Sequence, residues 1–119
     1  MEIDVEKRNG YVVITPICGQ IDAGNYDELR KQIGSVLKTD HNILLNLENV
    51  QFLDSSAASV ILYCYRNIQL HQGNFEICAP SIAVNVTLKL LKMDRLTKVF
   101  HSLEEAGRAF EDKINATQK

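Results

Sequence analysis

The residues with the most chemical potential in this chain form a single step, Asp54-Ser55-Ser56, set in "NVQFLDSSAASVILYCYR" between two apolar runs. A serine beside a carboxylate admits nucleophilic attack, helix capping or acceptance of a phosphoryl group. Nucleophilic catalysis requires a general base within hydrogen-bond reach of the hydroxyl. The three histidines, His41, His71 and His101, fall in different boundaries and turns, and nothing pairs one of them with Ser55. "LDSSAAS" also lacks the glycine-flanked elbow that exposes a hydrolase serine. A protein that is not an enzyme is therefore expected.

The two remaining chemistries are compatible. Any of Asp54, Ser55 and Ser56 can cap a following helix by accepting a backbone N–H, worth about 1 kcal/mol. One cap needs one oxygen, and this step offers three polar side chains in a row. A helix N-terminus also stabilises an anion, by about 0.3–1 kcal/mol at an exposed site. A phosphate there, adding about 1.5–2 negative charges next to Asp54, would leave the fold intact and repel an acidic or apolar partner surface.

Other chemistry-bearing patterns are absent or bland. Neither GxGxxG nor GxxxxGK[ST] occurs, so no recognised nucleotide loop is present. Glu104-Glu105 and Glu111-Asp112 read as the solvated face of a final helix. The three cysteines, Cys18, Cys64 and Cys78, are widely spaced in apolar segments, which points to reduced, buried thiols without disulfide, zinc or cofactor. Thirteen Lys and Arg against fifteen Asp and Glu give a net charge of -2 with no basic stripe, which argues against nucleic acid. No apolar run approaches the roughly 20 residues of a membrane span. "MEIDVEKRNG" is too polar for a secretory signal, so a cytoplasmic protein without a membrane partner is expected.

The elements that must position the serine step follow from periodicity. At 119 residues the chain is sized for one domain. Ile3 and Val5, the polar turn Lys7 to Gly10 and "YVVITPI" predict a hairpin. Tyr26, Leu29, Ile33, Val36 and Leu37 recur at helical spacing, with Asp22 or Asn25 available as cap. "NILLNL" is a strand, after which Ala57, Val60, Ile61, Cys64 and Ile68 form a helical stripe. Gly73 separates this helix from the strand "FEIC", and Pro80 suits the first turn of a helix through Val84, Leu88 and Leu91. A short strand near Lys98 to Phe100 and a helix opened by the capping box "SLEE" complete the chain. The order ββαβαβαβα predicts an α/β fold: a mixed, mostly parallel sheet packed with about four helices, over residues 1–114, and a polar tail 115–119.

Three stretches, "GQID" at Gly19 to Asp22, "LLNLENVQFLDSS" at Leu44 to Ser56 and "GNFEICAPSIAVNVTLKLLKMDRLTKVF" at Gly73 to Phe100, make the chain resemble the STAS domains, named for sulfate transporters and anti-sigma factor antagonists. The likeness runs nearly end to end and is closest to the free-standing bacterial antagonists. It implies partner switching: the unphosphorylated protein binds an anti-sigma factor that is also an ATP-dependent serine kinase, phosphorylation ends the interaction, and a metal-dependent, PPM-type serine phosphatase restores it. By position the phosphoacceptor is Ser55, with Asp54 shaping its electrostatics and Ser56 as neighbouring cap. Asp22 matches an aspartate near the phosphorylation site, and the partner surface is extended to Asn25, Ser59 and Tyr63, the last two expected to face outward. After the serine pair the family usually has Gly-x-Gly where this chain has Ala57-Ala58-Ser59, which implies a stiffer helix start. The alternative implied is a STAS subunit of a larger assembly, such as a lipid-transport complex, that works without phosphorylation. A small-ligand pocket between sheet and helices is a third possibility, and no residue pattern demands it.

Overall fold

In the computed structural model, which describes residues 1–117, the chain opens with the expected hairpin. Gly10 takes φ +92°, a left-handed conformation open to glycine, and folds β1 (Glu2–Lys7) back onto β2 (Val12–Ile17) in antiparallel register, Lys7 opposite Val12. From β2 onward the pairing is parallel. β4 (Asn42–Asn46), β6 (Asn74–Cys78) and β7 (Val99–Phe100) add in turn, giving the order β1-β2-β4-β6-β7. The crossovers are α1 (Tyr26–Val36), α2 (Ser55–Leu70) and α3 (Ile82–Leu90), and α4 (Leu103–Thr117) closes the described chain. The mixed, mostly parallel α/β architecture with four helices among the described residues is as the periodicity predicts.

Helices cover both faces, which explains why the central strands read as unbroken apolar runs. On one face Val12, Ile14, Ile43, Leu45 and Ile77 meet Leu29 and Ile33 of α1, the stripe Ala57, Val60, Ile61, Cys64 and Ile68 of α2, and Val84 and Leu88 of α3. On the other, Tyr11, Val13, Leu44 and Phe100 pack on Ala106 and Phe110 of α4, with Tyr11 and Phe110 stacked at 5.2 Å. Each such large side chain contributes about 1.5–3 kcal/mol when fully buried. The buried carboxylate of Glu76 accepts the Lys98 N–H at 3.0 Å and is paired with Lys113 of α4 at 2.5 Å. Cys64 and Cys78 are buried and Cys18 is half-buried; burial pushes the Cys78 thiol up to about 12 and raises the other two.

The structure departs from the sequence reading in several details. Two strands of two residues each, β3 (Gln20–Ile21) and β5 (Phe52–Leu53), form a separate parallel pair, and a 3-10 turn spans Met93–Arg95. Pro80 is not in the first turn of α3. Ser81 intervenes as N-cap, its hydroxyl accepting the Val84 N–H at 3.2 Å, because a hydroxyl satisfies a free amide and a proline ring cannot. Only the serine half of the "SLEE" box is seen, Ser102 Oγ accepting the Glu105 N–H at 3.1 Å. α4 runs into "NATQK" as far as Thr117, and Gln118 and Lys119 lie outside the described residues.

Candidate functional site

The short strands β3 and β5 assemble the site. The Gly19 carbonyl accepts N–H groups from Gln51 and Phe52 at 2.8 and 3.1 Å, and the Asp54 N–H donates to the Ile21 carbonyl at 3.2 Å. Gln20 therefore lies opposite Phe52 and Ile21 opposite Leu53, and the same parallel register carries Asp22 alongside Asp54. Ile21 and Leu53 point into the core and anchor the pair, while Gln20 and Phe52 are exposed, the alternation of a half-buried strand.

Each aspartate is fixed by its own turn. Asp22 accepts the Gly24 N–H at 2.9 Å and the Gln20 side-chain amide at 2.6 Å. Asn25 sits at the N-cap position of α1, yet its side chain does not cap the helix. It reaches back instead, accepting the Asp22 N–H and donating to the Gln20 carbonyl, both at 2.9 Å, so it fastens the loop that carries Asp22. Among the described residues neither Asp22 nor Asp54 is ion-paired.

Asp54 is the cap of α2. Its backbone is extended (φ -109°, ψ -170°), its Oδ1 accepts the Ser56 N–H at 2.8 Å and its carbonyl accepts the Ala57 N–H at 3.1 Å. Of the three side chains open to that role Asp54 takes it; Ser56, the neighbouring cap by resemblance, is already the second helical residue and donates its N–H to Asp54. Ser55, the first helical residue, is exposed, and among the described residues its hydroxyl has no hydrogen-bond partner. Ser59, one turn on, is also exposed, its Oγ donating to the Ser56 carbonyl at 2.7 Å. Of the positions that depart from Gly-x-Gly, Ala57 sends its methyl into the core and only Ser59 presents its side chain at the surface.

Tyr63 does not face outward as its place off the apolar stripe implied. It lies half-buried against α1, where an added Cβ on Gly34 would sit 2.9 Å from its hydroxyl, and Arg30 covers its ring at 5.7 Å. The missing side chain at Gly34 opens that space, a tertiary cause that no helical spacing reveals.

Among the described residues no histidine is hydrogen-bonded to the Ser55 hydroxyl. His41 and His71 stack at 3.9 Å beside the far end of α2, about 24 Å along a helix of 16 residues. His101 follows β7. Among the described residues no group of three or more His, Cys, Asp or Glu is placed to hold a metal ion, and no helix is long and apolar enough to cross a membrane. The arrangement offers an exposed hydroxyl, unbonded among the described residues, at a helix N-terminus capped by the neighbouring Asp54 carboxylate.

One apolar feature escaped the sequence reading. Phe52 is 55% exposed, and on α3, which packs beside β5, Ile82, Val86 and Leu90 are 88%, 52% and 76% exposed. Their i, i+4, i+8 spacing was visible, but it runs beside the buried stripe Val84 and Leu88 and makes the helix apolar on two sides.

Comparison with known proteins agrees with this geometry. The family model described as STAS domain matches residues 2–106. The anti-sigma F factor antagonist of Paenibacillus polymyxa is 32% identical over 101 residues, covering 83% of each chain. The crystal structure of an anti-sigma factor antagonist from Mycobacterium paratuberculosis superposes with a TM-score of 0.83 at 23% identity, over 92% of this chain and 93% of that one. The Bacillus cell fate determinant SpoIIAA in its phosphorylated form gives a TM-score of 0.69 at 21% identity, over 91% of this chain and 98% of that one. At those identities the two structural likenesses speak for the fold alone.

Proposed function

The chain belongs to the STAS domain family, and we propose that within it this protein is a cytoplasmic anti-sigma factor antagonist that works by partner switching at Ser55. The observation that carries the reading is the Ser55 hydroxyl, exposed and without a partner among the described residues at the start of α2, where Asp54 already supplies the cap. A phosphate there meets the positive end of the helix dipole and disturbs no hydrogen bond of the fold. In the unphosphorylated state Asp22, Asn25, Asp54, Ser55, Ser56 and Ser59 form the surface offered to an anti-sigma factor with serine kinase activity, with Tyr63 supporting it from beneath. Exposed Phe52 and the α3 strip add the apolar area that a stable contact requires. Phosphorylation adds charge beside two carboxylates that have no cation of their own, and repulsion then ejects the partner. A PPM-type phosphatase reverses the step.

The relative from Paenibacillus polymyxa supports the antagonist reading by its name. The alternative is a STAS subunit of a larger assembly that works without phosphorylation; the buried Ala57 methyl puts no side chain in the way of a kinase at the surface. Incubation with the cognate kinase and ATP should add one phosphate to the protein and none to a Ser55→Ala variant. Labelling that persists in Ser55→Ala would refute the assignment.

A further inference from the structure

Between α3 and β7, one of the two edge strands of the five-stranded sheet, lies a cleft of about 380 Å³ lined by Asn85, Lys89, Asp94, Lys98, Val99 and His101. Its volume is that of a small-molecule site, and none of its residues belongs to the surface around Ser55.

Three observations single it out. The first is charge. Lys89 and Lys98 line the cleft with His101 against one carboxylate, Asp94, and among the described residues no ion pair neutralises either lysine; the Lys98 ammonium instead lies over the Phe100 ring at 5.1 Å. The second is the main chain. The Ile77 and Ala79 amides donate to the carbonyls of Lys98 and Phe100 at 3.0 and 2.9 Å, so Val99 between them turns its own N–H and C=O toward the open edge of the sheet. The cleft therefore has a directional donor that no strand uses. The third is strain. Ala79 adopts φ +56° immediately before Pro80, which also lines the cleft. A left-handed alanine is unfavourable, and a following proline disfavours helical backbone further. Such conformations persist where the surroundings force them, and they gather at ligand sites.

We propose that this cleft binds a small organic dianion of the phosphate monoester class. Lys89 and Lys98 neutralise the two charges, the Val99 N–H and the Asn85 amide direct the oxygens, and Pro80 with Val99 packs against the apolar body. The site is independent of Ser55 and makes the protein responsive to a metabolite through a different edge of the sheet.

The test is an NMR titration of the full isotope-labelled chain with phenyl phosphate at constant ionic strength, and with inorganic phosphate as a second probe. Saturable shifts centred on the Lys98, Val99 and His101 amides are expected, unchanged in Ser55→Ala. The Lys89→Ala/Lys98→Ala variant, altered only at exposed positions and checked for folding by its remaining amide spectrum, should bind at least about tenfold more weakly, the equivalent of one charge-assisted contact. Shifts that stay linear, that centre on the start of α2, or that survive the double substitution overturn the site. Equal affinity for inorganic phosphate overturns the apolar part of the ligand.

Discussion

The two ends of α2 are built on opposite plans. At its start the chain is held by polar side chains near the surface: Asp54 caps, Ser55 is exposed and unbonded, and Ser59 bonds back to its own helix. At its finish the hold is steric. Gln72 takes the left-handed conformation at φ +57°, Gln72 and Gly73 donate to the carbonyls of Gln69 and Ile68 at 3.1 and 2.9 Å, and Gly73 lies so close to β4 that a Cβ would sit 1.8 Å from the His41 oxygen. This is a Schellman ending with glutamine in the place glycine usually takes, and the glycine comes one residue later for want of room. The lesson is a division of labour. One end can change charge without unfolding because the other end locks the helix to the sheet.

The sharpest way to break this comparison is Gly73→Ala. The methyl would collide with backbone and displace the Asn74 N–H to His41 carbonyl bond of 3.0 Å, so a loss of about 3 kcal/mol or more is expected from urea unfolding. A loss under about 1 kcal/mol would mean that β4 yields easily and that no such lock exists. At the opposite end, Asp54→Ala removes the cap and should cost about 1 kcal/mol in the same measurement. Between these in location, though smaller in effect, Gln72→Gly should stabilise the protein by about 0.5–1 kcal/mol, because the left-handed strain disappears while the backbone bonds remain. If it destabilises instead, the glutamine side chain has a role that its exposed position does not suggest.

How much of this was legible beforehand follows the length scale of each signal. The stripe Ala57, Val60, Ile61, Cys64 and Ile68 spans three turns, and every member is buried. Asp54-Ser55-Ser56 was readable as a helix start because it precedes that stripe directly. β3 and β5 were not readable, since two residues carry no alternation and each contributes a single core side chain, Ile21 and Leu53. Yet that pair is what brings Asp22 to Asp54, so the site's second carboxylate could be placed only by resemblance. Tyr63 was misplaced because its direction depends on an absent side chain at Gly34, on another helix. Gly73 reads as punctuation, and its steric reason lies at His41, just before β4 and over thirty positions away in sequence.

The smallest expected change in stability is the most informative about function. In Ser55→Asp a carboxylate joins the first turn of α2, where the helix dipole favours it by about 0.3–1 kcal/mol at an exposed site. Asp54, its immediate neighbour, opposes it by a similar small amount across solvent. These contributions nearly cancel, and the replaced hydroxyl held no hydrogen bond, so urea unfolding should move by no more than about 0.5 kcal/mol. Binding to the cognate kinase, followed by calorimetry or analytical gel filtration, should fall by more than about tenfold, because the new charge lies in the contact and neither Asp22 nor Asp54 offers it a cation. A variant that unfolds more readily by over about 1 kcal/mol would show that the N-terminal end is structural after all. A variant that keeps both its stability and its partner would show that the end is free to change but is not where the partner reads the charge.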